Sequence, residues 1–108
     1  MDKKTFCFDI DGIIMSLVPG NDYSLARPRP ETVSLINRLY ERGHRIILFT
    51  ARGYVTGIDW TETTRQQLES CGLRYHQLMF GKPAADYYID DRMASLDQIK
   101  SMLDDLDK

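Results

Sequence analysis

Two short apolar runs, Thr5 to Ile10 and Arg45 to Thr50 (Arg-Ile-Ile-Leu-Phe-Thr), are too brief and too continuous for an amphipathic helix. Their pattern predicts strands buried on both faces, as in a parallel sheet covered by helices. Between them the rhythm changes. Pro28 and Pro30 precede a stretch from Glu31 to Arg42 in which Val33, Ile36, Leu39 and Tyr40 recur at helical spacing, and Gly43 follows. Proline has no amide proton to waste at a helix start, and glycine reaches the left-handed conformation that ends one, so the two bracket a helix. Strand, helix and strand make one βαβ unit.

Asp59 and Glu62 have capping-box spacing for a second helix carrying Trp60, Leu68 and Cys71 on one face, ended by Gly72. Gln77 to Phe80 then predicts a third strand and Tyr87 to Asp90 a fourth. Ser95 and Gln98 form another capping-box pair, opening a last helix that buries Leu96, Ile99, Leu103 and Leu106. The order β-α-β-α-β-β-α predicts an α/β fold: a Rossmann-like, open, mainly parallel sheet flanked by helices. Such sheets bind ligands in the crevice at the carboxyl ends of their strands. The 108 residues suffice for one domain, 1–108, with one core, and no repeat or linker interrupts them.

Composition removes several alternatives. Hydrophobic residues at 43% and charged residues at 28% are ordinary for a soluble globular chain, and the mean hydropathy of -0.38 agrees. No apolar run nears the roughly 20 residues of a membrane span, and Asp9 and Asp11 interrupt the first one, which argues against a signal peptide. Cys7 and Cys71 have neither metal-ligand nor disulfide spacing, which fits a reducing cytoplasm. A net charge of -2 without basic runs offers no footprint for a nucleic-acid backbone.

The chemistry gathers where the predicted strands end. Asp9 and Asp11 follow the first, Thr50 the second, Lys82 the third, and Asp90 and Asp91 the fourth. Each alone has an ordinary explanation: an Asp-x-Asp-Gly turn with solvated acids, a hydroxyl capping its own loop, a surface lysine, an acidic helix entry. At one end of one sheet they become a site. Adjacent carboxylates such as Asp90 and Asp91 repel unless a cation stands between them, and hard oxygen ligands suit Mg²⁺. Lys82 would neutralise the Asp9 carboxylate and an incoming phosphoryl group, while Thr50 and the backbone N–H groups beside it would hold a phosphate oxygen. His44 and His76 flank a helix stop and a tyrosine, where turn or surface roles are expected.

These residues form recognisable strings: Phe-Asp-Ile-Asp-Gly at 8–12, Leu-Phe-Thr-Ala-Arg at 48–52, Gly-Lys-Pro at 81–83 and Tyr-Ile-Asp-Asp-Arg at 88–92. In this order they resemble the four motifs of the haloacid dehalogenase superfamily, over about residues 5 to 92. The resemblance implies a Mg²⁺-dependent phosphatase in which Asp9 is nucleophile and metal ligand. Asp11 would be the general acid and base, its backbone carbonyl on the metal. It further implies Thr50, Ala51 and Lys82 as the phosphate clamp, Asp90 as a metal ligand and Asp91 as an auxiliary one. The pattern is most similar to small phosphatases associated with capsule or other surface-polysaccharide biosynthesis, which implies a small phosphorylated metabolite such as a sugar phosphate. Ile13 departs from the threonine most relatives carry there. Asp11, absent from the dehalogenases themselves, disfavours carbon–halogen chemistry.

Related enzymes often insert a cap domain, but the intervals here leave only loops, Met15 to Arg27 and Arg52 to Asp59. Those loops are expected to form the rim, with Arg52 as its anion contact, and the open crevice is covered either by a large substrate or, the favoured alternative, by a second copy of the chain docking on Leu17, Val18 and Tyr23. Two rival readings remain: a receiver-like phosphoacceptor module and a catalytically silent binding protein on the same scaffold. A receiver places its acceptor acid after a middle strand, whereas the strand ending at Thr50 is followed by no acid before Asp59.

Overall fold

Parallel pairing joins β1 (Thr5–Asp9), β2 (Arg45–Thr50) and β3 (Gln77–Phe80) in that order, in a computed structural model that describes residues 2–80 and 94–106. Phe6 lies beside Ile46, Phe8 beside Leu48 and Leu48 beside Leu78, so these even-numbered residues share one face of the sheet. The helices are α1 (Pro30–Glu41), α2 (Thr61–Ser70) and α3 (Leu96–Leu106). This is a Rossmann-like α/β arrangement, an open parallel sheet flanked by helices. The predicted fourth strand, Tyr87 to Asp90, lies outside the described residues.

One core unites the layers. Phe8, Ile46 and Leu48 of the sheet join Val33, Leu35, Ile36 and Leu39 of α1, Leu68 of α2, and Ile99 and Leu103 of α3. Burying an aliphatic or aromatic side chain of this size contributes roughly 1.5–3 kcal/mol, so this cluster dominates the fold's stability. The opposite face is less enclosed: Cys7 is exposed, and Ile47 and Phe49 are half-buried. Among the described residues the strands are thus buried on one face and partly so on the other, where burial on both was expected. Continuous apolar composition does not distinguish a doubly covered strand from one whose second face stays partly open, and the described helices all contribute to the same side.

At the amino ends of the strands, side chains satisfy backbone groups that the ladder leaves over. The backbone N–H of Lys4 donates to His44 Nδ1 at 3.1 Å, and that of Ile46 to His76 Nδ1 at 2.9 Å. His44 is only 2% exposed and edge-on to Phe6, so of the turn and surface roles expected it takes the turn one, buried. Its Nε2 is buried without a hydrogen-bond partner among the described residues. Burial above all, with Lys3 and Lys4 adding repulsion, holds its pKa below that of ordinary histidine. His76 stacks on Tyr40.

The helix ends divide. Ser95 and Gln98 form the predicted reciprocal box, Gln98 N–H donating to Ser95 Oγ at 3.1 Å and Ser95 N–H to Gln98 Oε1 at 2.8 Å. The box expected of Asp59 and Glu62 does not form. Asp59 instead accepts from Thr61 N–H at 2.9 Å, which with the Thr61 hydroxyl lowers its pKa. Trp60 occupies the cap position, its ring edge-on to Tyr23 with centroids 5.2 Å apart.

Candidate active site at the strand ends

The chain turns sharply once β1 has delivered Asp9. Ile10 N–H still continues the ladder to Phe49 O at 3.1 Å, and then the N–H groups of Ile13, Ile14 and Met15 converge on the Ile10 carbonyl. Gly12, at φ 91°, supplies the left-handed residue that this single turn requires. Ile10, Ile14 and Met15, each 0% exposed, anchor it in the core. Met15 was expected on the rim; the turn directs it inward. The chain then doubles back, Ser16 N–H donating to Arg27 O and Arg29 N–H to Ile14 O, both at 2.8 Å. The loop between them holds short 3₁₀ turns at Pro19–Asn21 and Tyr23–Leu25.

This turn places Asp11 against the end of β2. Thr50 Oγ1 donates to Asp11 Oδ2 at 3.2 Å and accepts from Arg52 N–H at 3.1 Å. The Thr50 hydroxyl, 0% exposed, is thus engaged by the protein's own groups, the loop-capping role that the sequence left open beside phosphate binding. Arg52 closes on Asp11 in a fork, Nη2 donating to Oδ1 at 2.8 Å and Nε reaching Oδ2 at 3.1 Å. Paired N–H donors fix both the position and the plane of a carboxylate.

Arg52 was expected on the rim as an anion contact. It is instead buried, 4% exposed, with its guanidinium held on every side. Nη1 donates to Thr64 Oγ1 at 3.0 Å and to Gln67 Oε1 at 2.6 Å, while Gln67 Nε2 donates to the Tyr23 carbonyl at 2.7 Å. The guanidinium carbon also stands 4.9 Å from the centre of the Tyr23 ring. Burial, and then the Asp11 charge, raise the Tyr23 phenol pKa, with Arg52 opposing. A charge enclosed this way needs its counterion and its acceptors together, and the fold supplies both. Thr64 and Gln67 were not singled out from sequence. Their signal was present as polar residues three apart on α2, the spacing that puts both on one helix face.

The loop after Arg52 is held by glycine geometry. Gly53, at φ 82°, lies so close to the Ile58 carbonyl oxygen that a Cβ would overlap it. Tyr54 N–H bonds back to Ala51 O at 2.9 Å and Gly57 N–H to Gly53 O at 2.8 Å. This winding leaves Tyr54, Val55 and Ile58 exposed, with Leu17 from the first loop. Of the apolar rim expected from sequence only Leu17 stands clear, since Val18 packs on the core and Tyr23 on Trp60 and Arg52.

Asp9, Asp11, Thr50, Ala51 and Arg52 therefore lie at the carboxyl ends of adjacent parallel strands, Asp9 beside Phe49 in register. Lys82, Asp90 and Asp91 lie outside the described residues. Among the described residues no group of three or more His, Cys, Asp or Glu side chains is placed to hold a metal ion. The described carboxylates of Asp9 and Asp11 are of the hard-oxygen type that Mg²⁺ takes, but a cation there needs further ligands from outside them. Clefts among the described residues run along α1, one reaching Cys71 and the other Leu96, and Asp9, Asp11, Thr50 and Arg52 line neither of these.

No protein-family model and no curated protein matches the chain. Its structure is similar to the crystal structure of a target protein from Vibrio cholerae, with a TM-score of 0.77 and 22% identity over 95% of this chain and 98% of that one. That likeness establishes the fold. No helix among the described residues is long and apolar enough to cross a membrane.

Proposed function

We propose that this chain is a Mg²⁺-dependent phosphomonoester hydrolase of the haloacid dehalogenase type, acting through an aspartyl-phosphate on Asp9. The observation that carries the proposal is the placement of two carboxylates, two residues apart, at the carboxyl end of the first strand. Asp9 ends β1, and Asp11, two residues on, is oriented by Arg52 and Thr50. In the forward step an Asp9 oxygen bonds to phosphorus while the ester P–O bond breaks and Asp11 gives its proton to the departing oxygen. In the return step Asp11 takes a proton from water as that water attacks phosphorus and frees Asp9. Asp9, the Asp11 carbonyl and Asp90, with Asp91 as an auxiliary ligand, would hold Mg²⁺, whose charge would offset repulsion between the carboxylate and the anionic ester. Lys82 would add positive charge, and Thr50 and Ala51 would complete the phosphate clamp.

The substrate class is a small phosphorylated metabolite such as a sugar phosphate, in cytoplasmic surface-polysaccharide synthesis. A second copy of the chain is a candidate to close the open crevice. The deciding experiment is hydrolysis of p-nitrophenyl phosphate with and without Mg²⁺. Turnover that needs Mg²⁺ and disappears in Asp9→Asn, with the fold unchanged by circular dichroism, supports the enzyme. Phosphorylation that persists without turnover would favour a receiver-like acceptor, and neither would favour a silent binding protein.

A further inference from the structure

A buried arginine is expensive to maintain, so its contacts indicate its use. Arg52 makes no described contact with solvent-exposed anions; its fork faces Asp11, and both N–H bonds of Nη1 are taken by Thr64 and Gln67. The two helix residues fix the plane of the guanidinium. Gln67 is itself oriented, because its Nε2 bond to the Tyr23 carbonyl leaves its oxygen toward Arg52. The Tyr23 ring covers one face. Asp11 is thus bonded by Thr50 and Arg52 from the end of β2, and Arg52 in turn is braced by the first loop and by α2.

We propose that Arg52, held by Thr64 and Gln67, is a positioning residue that orients the Asp11 carboxyl for proton transfer. The proposal rests on the phosphatase reading and adds to it a device for aiming the acid. An acid displaced by an ångström loses much of its advantage, since proton transfer needs hydrogen-bond reach. A positively charged contact with substrate, the rim role expected from sequence, would instead alter binding of every phosphate ester alike.

Two aryl esters that differ in the basicity of the leaving group separate these roles. p-Nitrophenolate leaves with little need of a proton, whereas the more basic phenolate of phenyl phosphate needs one. With Mg²⁺ saturating, Arg52→Gln is expected to lower kcat/KM for phenyl phosphate at least about tenfold more than for p-nitrophenyl phosphate. It should also give a burst of p-nitrophenolate, as the aspartyl-phosphate then waits for its base. Gln67→Leu, which removes one brace and leaves the ion pair, should shift the same ratio in the same direction by a smaller factor. Equal losses on both esters would overturn the proposal, pointing to binding or general structure. If Arg52→Gln does not fold, the ratio in Gln67→Leu decides alone: an unchanged ratio overturns it. Wild-type chain that hydrolyses neither ester overturns the phosphatase reading, a result distinct from hydrolysis with an unshifted ratio.

Discussion

Gly53 illustrates how one atom can be excluded. Its φ of 82° and the Ile58 carbonyl oxygen beside it leave a Cβ nowhere to go. Gly53→Ala is expected to cost about 2 kcal/mol or more, read from urea unfolding, because strain in the left-handed region adds to the overlap. His44 offers a second residue-scale test. Its imidazole binds a proton less readily folded than unfolded, so the unfolded chain protonates first as pH falls. Stability should therefore be whole well above the ordinary histidine value of 6.5 and decline as pH drops through it. The decline should flatten in His44→Gln across unfolding curves at pH 7.5 to 5.5. At this scale the sequence was a partial guide. It marked Arg52 as chemically important, yet placed it on the surface, because its partners Asp11 and Tyr23 are remote in sequence and a lone arginine is ordinarily exposed.

At the scale of elements, local signals were legible wherever the residues that decide them are neighbours. β2 and β3 fall where the apolar runs predict, and α1 is displaced by one residue from the predicted 31–42. The Ser95 box is entirely local, and it forms. Ser95→Ala should cost about 0.5–2 kcal/mol, since the Gln98 N–H loses its acceptor; differential scanning calorimetry on the full chain measures it. The Asp59 box does not form because the Asp59 carboxylate is taken by Thr61, and the helix starts one residue later than the spacing implies, with Trp60 at its cap and against Tyr23. The doubling back of Ser16 on Arg27 was likewise missed, as its backbone bonds depend on the buried turn at Ile10.

For the whole molecule, the described segments at the carboxyl end of the sheet are loops, and they leave Leu17, Tyr54, Val55 and Ile58 exposed. Such residues contribute little to folding, so Val55→Ser should change the unfolding free energy by no more than about 0.5 kcal/mol. If the loop meets substrate or a second copy, the same change will shift KM or the sedimentation coefficient; both are measurable on one preparation.

The Arg52 cradle has a practical consequence for anyone wishing to capture a bound ligand. Amide replacements of acids are the usual means of arresting a phosphatase, and at Asp9 such a replacement leaves the guanidinium paired. At Asp11 it does not. Asn would set an NH₂ against one arm of the fork and strand a cation whose side chain is 0% exposed. The loss is on the order of 3 kcal/mol, equivalent to a melting temperature lower by roughly 10 °C or more for a chain of this size. A dead Asp11→Asn protein would therefore be ambiguous between arrested and unfolded. The usable trap is Asp9→Asn.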